Sequence, residues 1–119
     1  MARALAGLIL VLVAACERPL PEHEPLTGGN ARHGRSLIQH YGCGSCHRIS
    51  GVPGASATIG PPLESLAKRV YIAGRLANTP ENVVRWIRDP RSVDSLTVMP
   101  AVGLDEAGAR DAAAYLYAH

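Results

Sequence analysis

Residues 41–47 read Tyr41-Gly-Cys-Gly-Ser-Cys-His47, and the fold turns on how that stretch is read. C-x-x-C-H is the attachment signature of a c-type haem. Two thiols three residues apart can reach two vinyl groups on one porphyrin edge and form thioethers. The histidine after the second cysteine is then carried under the iron as proximal ligand. Cys43 and Cys46 are therefore predicted to hold one haem covalently, with His47 as an axial ligand. Three plainer readings compete. A thiol redox pair calls for a βαβ context, whereas the flanks are helical and glycine-rich without strand alternation. A zinc site needs four ligands, and His23, His33, His40 and His119 form no second pair at ligand spacing. A disulfide across two residues would be a small, strained ring.

Working downstream, Met99 lies 52 residues beyond His47 and is followed by Pro100. A thioether is a soft, neutral ligand that raises the potential of haem iron, and proline would stiffen its loop. A lone methionine is more often a core filler. Its place after C-x-x-C-H and before a final helix predicts Met99 as the sixth ligand. His33 and His40 fall on the helix leading into the motif and are expected at its rim.

Around these residues the chain reads as all-α, with about four helices wrapped around the cofactor. Asn30 caps a helix over about 31–40; Pro62 opens a short one over 62–68. Thr79-Pro80-Glu81 starts a third, which stops before Pro90. Asp105 caps the last, about 106–117, with a stripe of Ala109, Ala112, Ala113 and Leu116. No run reads as a strand. Loops 48–60 and 89–103 are left to line the cofactor.

Upstream, one positive charge (Arg3) precedes an uncharged apolar run from Leu5 to Ala15. That run is too short to span a bilayer and matches a secretory h-region. Val13-Ala14-Ala15-Cys16 resembles the bacterial lipoprotein signal, which implies removal of residues 1–15 and lipidation of Cys16. Ordinary cleavage with a free Cys16 and an uncleaved anchor are the other readings. Residues 16–29, with three prolines, three glutamates and a glycine pair after Cys16, are expected to be a tether of roughly 45 Å reach. The domain proper is then 30–119.

The composition narrows the function. The 119 residues carry a net charge of +2, which falls to +1 without Arg3. Neither value, with scattered basic residues, makes a nucleic-acid footprint. Aromatics are 4% of the chain and phenylalanine is absent, so side chains alone would make a thin core.

Cys-Gly-Ser-Cys-His at 43–47, Gly-Pro-Pro-Leu at 60–63, Arg-Trp-Ile-Arg-Asp-Pro at 85–90, Met-Pro at 99–100 and Ala-Tyr-Leu at 114–116 together resemble a class I cytochrome c over about residues 30–119. The run from Asn78 to Pro90 is similar to the cytochrome domain fused to some bacterial oxidase second subunits. The resemblance implies first and last helices that cross with Gly34 against Tyr115. It implies that the Pro61 carbonyl accepts the His47 ring N–H, and that Arg69, Trp86 and, less strongly, Tyr71 lie near the haem propionates. With a single lysine, Lys68, the lysine ring of mitochondrial cytochromes c is absent. With both axial positions filled there is no place for a small-molecule substrate, so an electron carrier is expected rather than an enzyme. It would be exported, lipid-anchored on the periplasmic side of a bacterial membrane, and partnered by a terminal oxidase or a quinol-oxidising complex. A fixed haem subunit of a larger complex, and a haem gas sensor with a displaceable Met99, are the alternatives.

Overall fold

The computed structural model describes residues 18–119. The signal segment and Cys16 lie outside the described residues. Three α-helices carry the fold: α1 (Ala31–His40), α2 (Pro80–Arg88) and α3 (Glu106–Ala118). Each begins where a short polar side chain accepts a hydrogen bond from an otherwise unpartnered first-turn N–H. Asn30 accepts from His33 N, Thr79 from Asn82 N and Asp105 from Gly108 N. α1 ends at Tyr41, and Gly42 follows in the left-handed region at φ 72°, where a residue without Cβ costs least.

The core is built on the packing of α1 against α3. α1 buries Ala31, Gly34 and Ile38; α3 buries Ala109, Ala112, Ala113, Tyr115 and Leu116. Small residues let the two backbones approach closely. A Cβ on Gly34 would lie 1.8 Å from the Asp111 carbonyl oxygen. The expected partner Tyr115 is one turn further along; Gly34 meets the α3 backbone at Asp111–Ala112 instead. Tyr115 is buried elsewhere, donating its hydroxyl to Ser50 O at 2.6 Å and stacking on His119.

Three further expectations change. The helix over 62–68 is only a 3-10 turn, Leu66–Lys68, because Ser65 takes a left-handed φ of 57° that an α-helix cannot contain. A strand pair is present where none was expected: β1 (Tyr71–Ile72) and β2 (Leu76–Ala77) run antiparallel, with Ile72 opposite Leu76. Ala73 and Gly74, both at positive φ, make the tight turn between them. Short 3-10 turns also occur at Cys43–Ser45 and Pro90–Ser92.

The expected tether is, from Leu20 onward, part of the domain. Leu20 packs against the core. Ala31 N donates to Pro21 O at 3.0 Å, and Glu24 N to Gly29 O at 2.8 Å. The Glu24 carboxylate is buried and accepts from Leu26 N, Thr27 N and Thr27 Oγ1. α3 receives this strap: Arg110 donates to Thr27 O, Asn30 N donates to Asp111 Oδ1, and a Cβ on Gly29 would meet Arg110 O at 2.5 Å. A buried carboxylate that gathers backbone donors fixes a turn as a disordered leash cannot.

Candidate haem-binding site

The Cys43–His47 segment hangs directly from the end of α1. Its own backbone closes the loop, with Cys46 N and His47 N both donating to Cys43 O. A second segment, 60–64, runs alongside it. Gly60 N donates to Cys46 O at 2.7 Å and Leu63 N to Arg48 O at 2.9 Å. The pair is clamped by Arg48, whose Nε donates to Glu64 Oε1 at 3.0 Å, joined by Ser50 Oγ. The Arg48 hydrogen bond holds the Glu64 carboxyl below the usual carboxylate range.

This arrangement orients His47. Its Nδ1 lies 2.7 Å from Pro61 O. A carbonyl can only accept, so Nδ1 carries a proton and the neutral ring has its lone pair on Nε2. The imidazole rests on Gly60, where a Cβ would come within 2.4 Å of the ring. Both cysteines are free and half-buried. Burial pushes the Cys43 thiol above its ordinary value, with the neighbouring Cys46 adding to the effect.

The other expected residues are distributed around this cluster. Arg69 donates through Nη2 to Pro62 O and to Glu64 O, so it braces the 61–65 loop. Trp86 is half-buried against the core from α2. Tyr71 is exposed at the start of the hairpin. Met99 is half-buried, and its backbone N–H is taken by Thr97 Oγ1. Among the described residues, none of these last three side chains hydrogen-bonds to the His47 cluster. His33 pairs with Asp111 at 2.7 Å on the surface.

Two features escaped the sequence reading. Asn78 joins three elements: its Nδ2 donates to Leu66 O and Arg69 O, and its Oδ1 accepts from Tyr117 of α3 at 2.6 Å. It thereby seats the Arg69 turn and the hairpin on the core. The apolar residues left in solvent are also informative. Ile59, Val70, Tyr71, Leu96 and Val98 are all exposed; Ile59 lies just before Pro61, Val70 and Tyr71 lead into the hairpin, and Leu96 and Val98 lie just before Met99. A chain with few large apolar residues that leaves these uncovered has surface for an apolar group to cover.

The residues present fit a haem. Two free thiols, an oriented imidazole whose Nε2 lone pair is unused, and uncovered apolar loops are what such a group requires. Among the described residues, no three His, Cys, Asp or Glu side chains gather to hold an ion by themselves. A cleft of about 490 Å³ between α2, the Pro90 turn and the start of α3 involves none of the expected site residues. Its Arg85, Arg88 and Arg110 are balanced by Glu81, Asp89 and Glu106.

The chain is 39% identical over 80 residues, 67% of its length, to cytochrome c oxidase subunit 2 of Alkalihalophilus pseudofirmus. The matching stretch makes up 22% of that protein. No protein-family model matches the chain. Among the described residues, no helix is long and apolar enough to cross a membrane.

Proposed function

We propose that the protein is a monohaem c-type cytochrome, exported and tethered by lipid at Cys16 on the periplasmic side of a bacterial membrane. It passes single electrons between respiratory-chain components, towards a terminal oxidase. The observation that carries this reading is the His47–Pro61 hydrogen bond at 2.7 Å, made beside two free thiols. Likeness to part of an oxidase subunit supports the direction of electron flow.

Cys43 and Cys46 would hold the haem through thioethers, and His47 Nε2 and the Met99 sulfur would ligate its iron. The haem supplies one-electron exchange between ferric and ferrous iron. The chain's own part is to orient and to exclude. Pro61 O fixes the His47 tautomer and increases its basicity as a ligand. Gly60 gives the imidazole room to rest against the backbone. Arg69, which braces the 61–65 loop through Pro62 O and Glu64 O, would meet a propionate, with Trp86 and Tyr71 as its candidate companions. With His47 and Met99 both holding the iron, neither oxygen nor substrate would have a place to bind, and electron transfer would be the chemistry that remains.

The test is the absorption spectrum of the protein isolated from membranes, oxidised and reduced, with and without carbon monoxide. Low-spin bands, a weak far-red sulfur-to-iron band when oxidised, and indifference to carbon monoxide are expected. Met99→Ala should abolish the far-red band and admit carbon monoxide. Absence of covalently bound haem would overturn the reading.

A second reading is favoured by the relative's being a subunit of an oxidase: a haem domain fixed within a larger complex. Stoichiometric co-elution with a partner in mild detergent would replace the free carrier with that reading.

A further inference from the structure

The strap over residues 20–29 changes where the domain can be. Leu20 is packed against the core and Pro21 O is bonded to Ala31 N, so the chain is fixed to the domain from Leu20 onward. Between Cys16 and Leu20 lie four Cα-to-Cα steps, which span at most ~14 Å when fully extended. A lipid-bearing cysteine sits near the boundary of the hydrocarbon, beneath a polar headgroup layer of roughly 6 Å. About 8 Å of leash is then left above the headgroups, less than the diameter of a helix with its side chains. A domain on such a leash cannot swing freely; the face from which the leash leaves must lie against the lipid.

That face has the chemistry for it. The strap presents an apolar tip, Pro25–Leu26, with Leu26 64% exposed although it belongs to a well-bonded turn. The tip is held rigid from behind, since the Glu24 carboxylate takes the Leu26 and Thr27 N–H groups and Arg110 takes the Thr27 carbonyl. Arg18, at the root of the leash, is exposed on the side from which lipid phosphates would be met, while Arg32 is paired with Glu22. An ordered apolar tip with a cation on the same short segment is how a folded surface engages a bilayer interface.

We propose that the strap face, with Leu26 at its tip, rests on the lipid surface and fixes the orientation of the domain there. This rests on the reading of Cys16 as the lipidated residue. Its consequence is that redox partners must offer their docking sites close to the membrane plane rather than across a span of tens of ångströms.

The experiment uses the full-length lipoprotein, purified and returned to phospholipid vesicles that contain a lipid with a diazirine in its acyl chain. After illumination, proteolytic fragments are weighed by mass spectrometry. The expected result is cross-linked lipid on the fragment holding Pro25–Leu26, lost in Leu26→Asp. Acylated Cys16 with no cross-link on that fragment would overturn the strap proposal alone. A Cys16 without acyl chains would overturn the lipoprotein reading and the proposal with it. Leu26 is exposed and its backbone makes the local hydrogen bonds, so the aspartate variant keeps the fold.

Discussion

At the scale of single residues, the site depends on how one imidazole is held. Pro61 acts through its main-chain oxygen and Gly60 through the absence of a side chain, so the two positions respond differently to substitution. Pro61→Ala retains the carbonyl, and its absorption spectrum is expected to match that of the parent. Gly60→Ala places a methyl within 2.4 Å of the His47 ring, which must tilt off Pro61 O to make room. The expected outcome is a lower fraction of haem-loaded protein and a stability loss of ~1–3 kcal/mol, typical of overpacking. The ratio of haem to protein absorbance, with a urea titration, measures both. If Gly60→Ala loads haem as the parent does, His47 is not held against this glycine in the working protein. Here the sequence was half legible. C-x-x-C-H declares its chemistry by spacing alone, whereas the bracing of the 60–64 segment by Arg48 and Glu64 joins residues 16 apart and has no local pattern.

Helices announce themselves locally, and contacts between elements do not. Asn30, Thr79 and Asp105 were readable as caps because a cap bonds within its own first turn. The hairpin was not readable: its strands have two residues each, too few for an alternating pattern, and Ala73 occupies the left-handed position where glycine or asparagine would signal a turn. The identity of the α1–α3 contact was likewise beyond local reading, since Gly34 lies against a carbonyl 77 positions on and one turn from the residue the family likeness suggested. That contact gives the sharpest test at this scale. Gly34→Ala would gain up to ~1 kcal/mol in helix propensity on an isolated helix. In the protein its Cβ would sit 1.8 Å from Asp111 O, so α1 and α3 must separate along their most tightly packed stretch. Net destabilisation of ~3 kcal/mol or more is expected, a large share of the ~5–15 kcal/mol that holds a domain folded. Far-UV circular dichroism of the variant reports it. A variant as stable as the parent would mean that the helices pack through other residues.

At the scale of the whole molecule, stability rests on how the loops and the strap close over α3. Tyr115 ties loop 48–60 to α3 through Ser50, and Tyr117 ties the hairpin to it through Asn78. Burial raises the pKa of both phenols, with Glu24 and Glu81 adding to the effect at Tyr117. A raised folded-state pKa means that the neutral form is favoured by folding. The stabilisation is complete below the ordinary tyrosine value of about 10 and is lost as pH rises through the higher folded-state value. Unfolding midpoints in urea should therefore hold up to about pH 10 and fall above it, and fall less steeply in Tyr115→Phe. That variant should also lose ~1 kcal/mol at neutral pH with its hydrogen bond to Ser50.

The strap provides the last test, because leash and strap predict opposite results. Its sequence looks like a linker: proline and glutamate are dense, and no apolar period runs through it. What orders it is one buried carboxylate and partners on α3, more than 80 positions away. If residues 16–29 were only a leash, their removal would leave the domain's stability unchanged. The packing predicts that removing residues up to Arg18 costs nothing, whereas a domain starting at Asn30 loses the Thr27–Arg110 and Glu24 bonds and uncovers the side of α3. Glu24→Ala isolates the central element. It strands the N–H and hydroxyl of Thr27, at a cost of ~2–3 kcal/mol, or roughly 10–20 °C in melting temperature for a domain of this size. Thermal melts of the three forms, each loaded with haem, should rank parent and short truncation together, Glu24→Ala below them, and the Asn30 form lowest. Equal melting of the parent and the Asn30 form would return the segment to the role of a leash and free the domain from the membrane face.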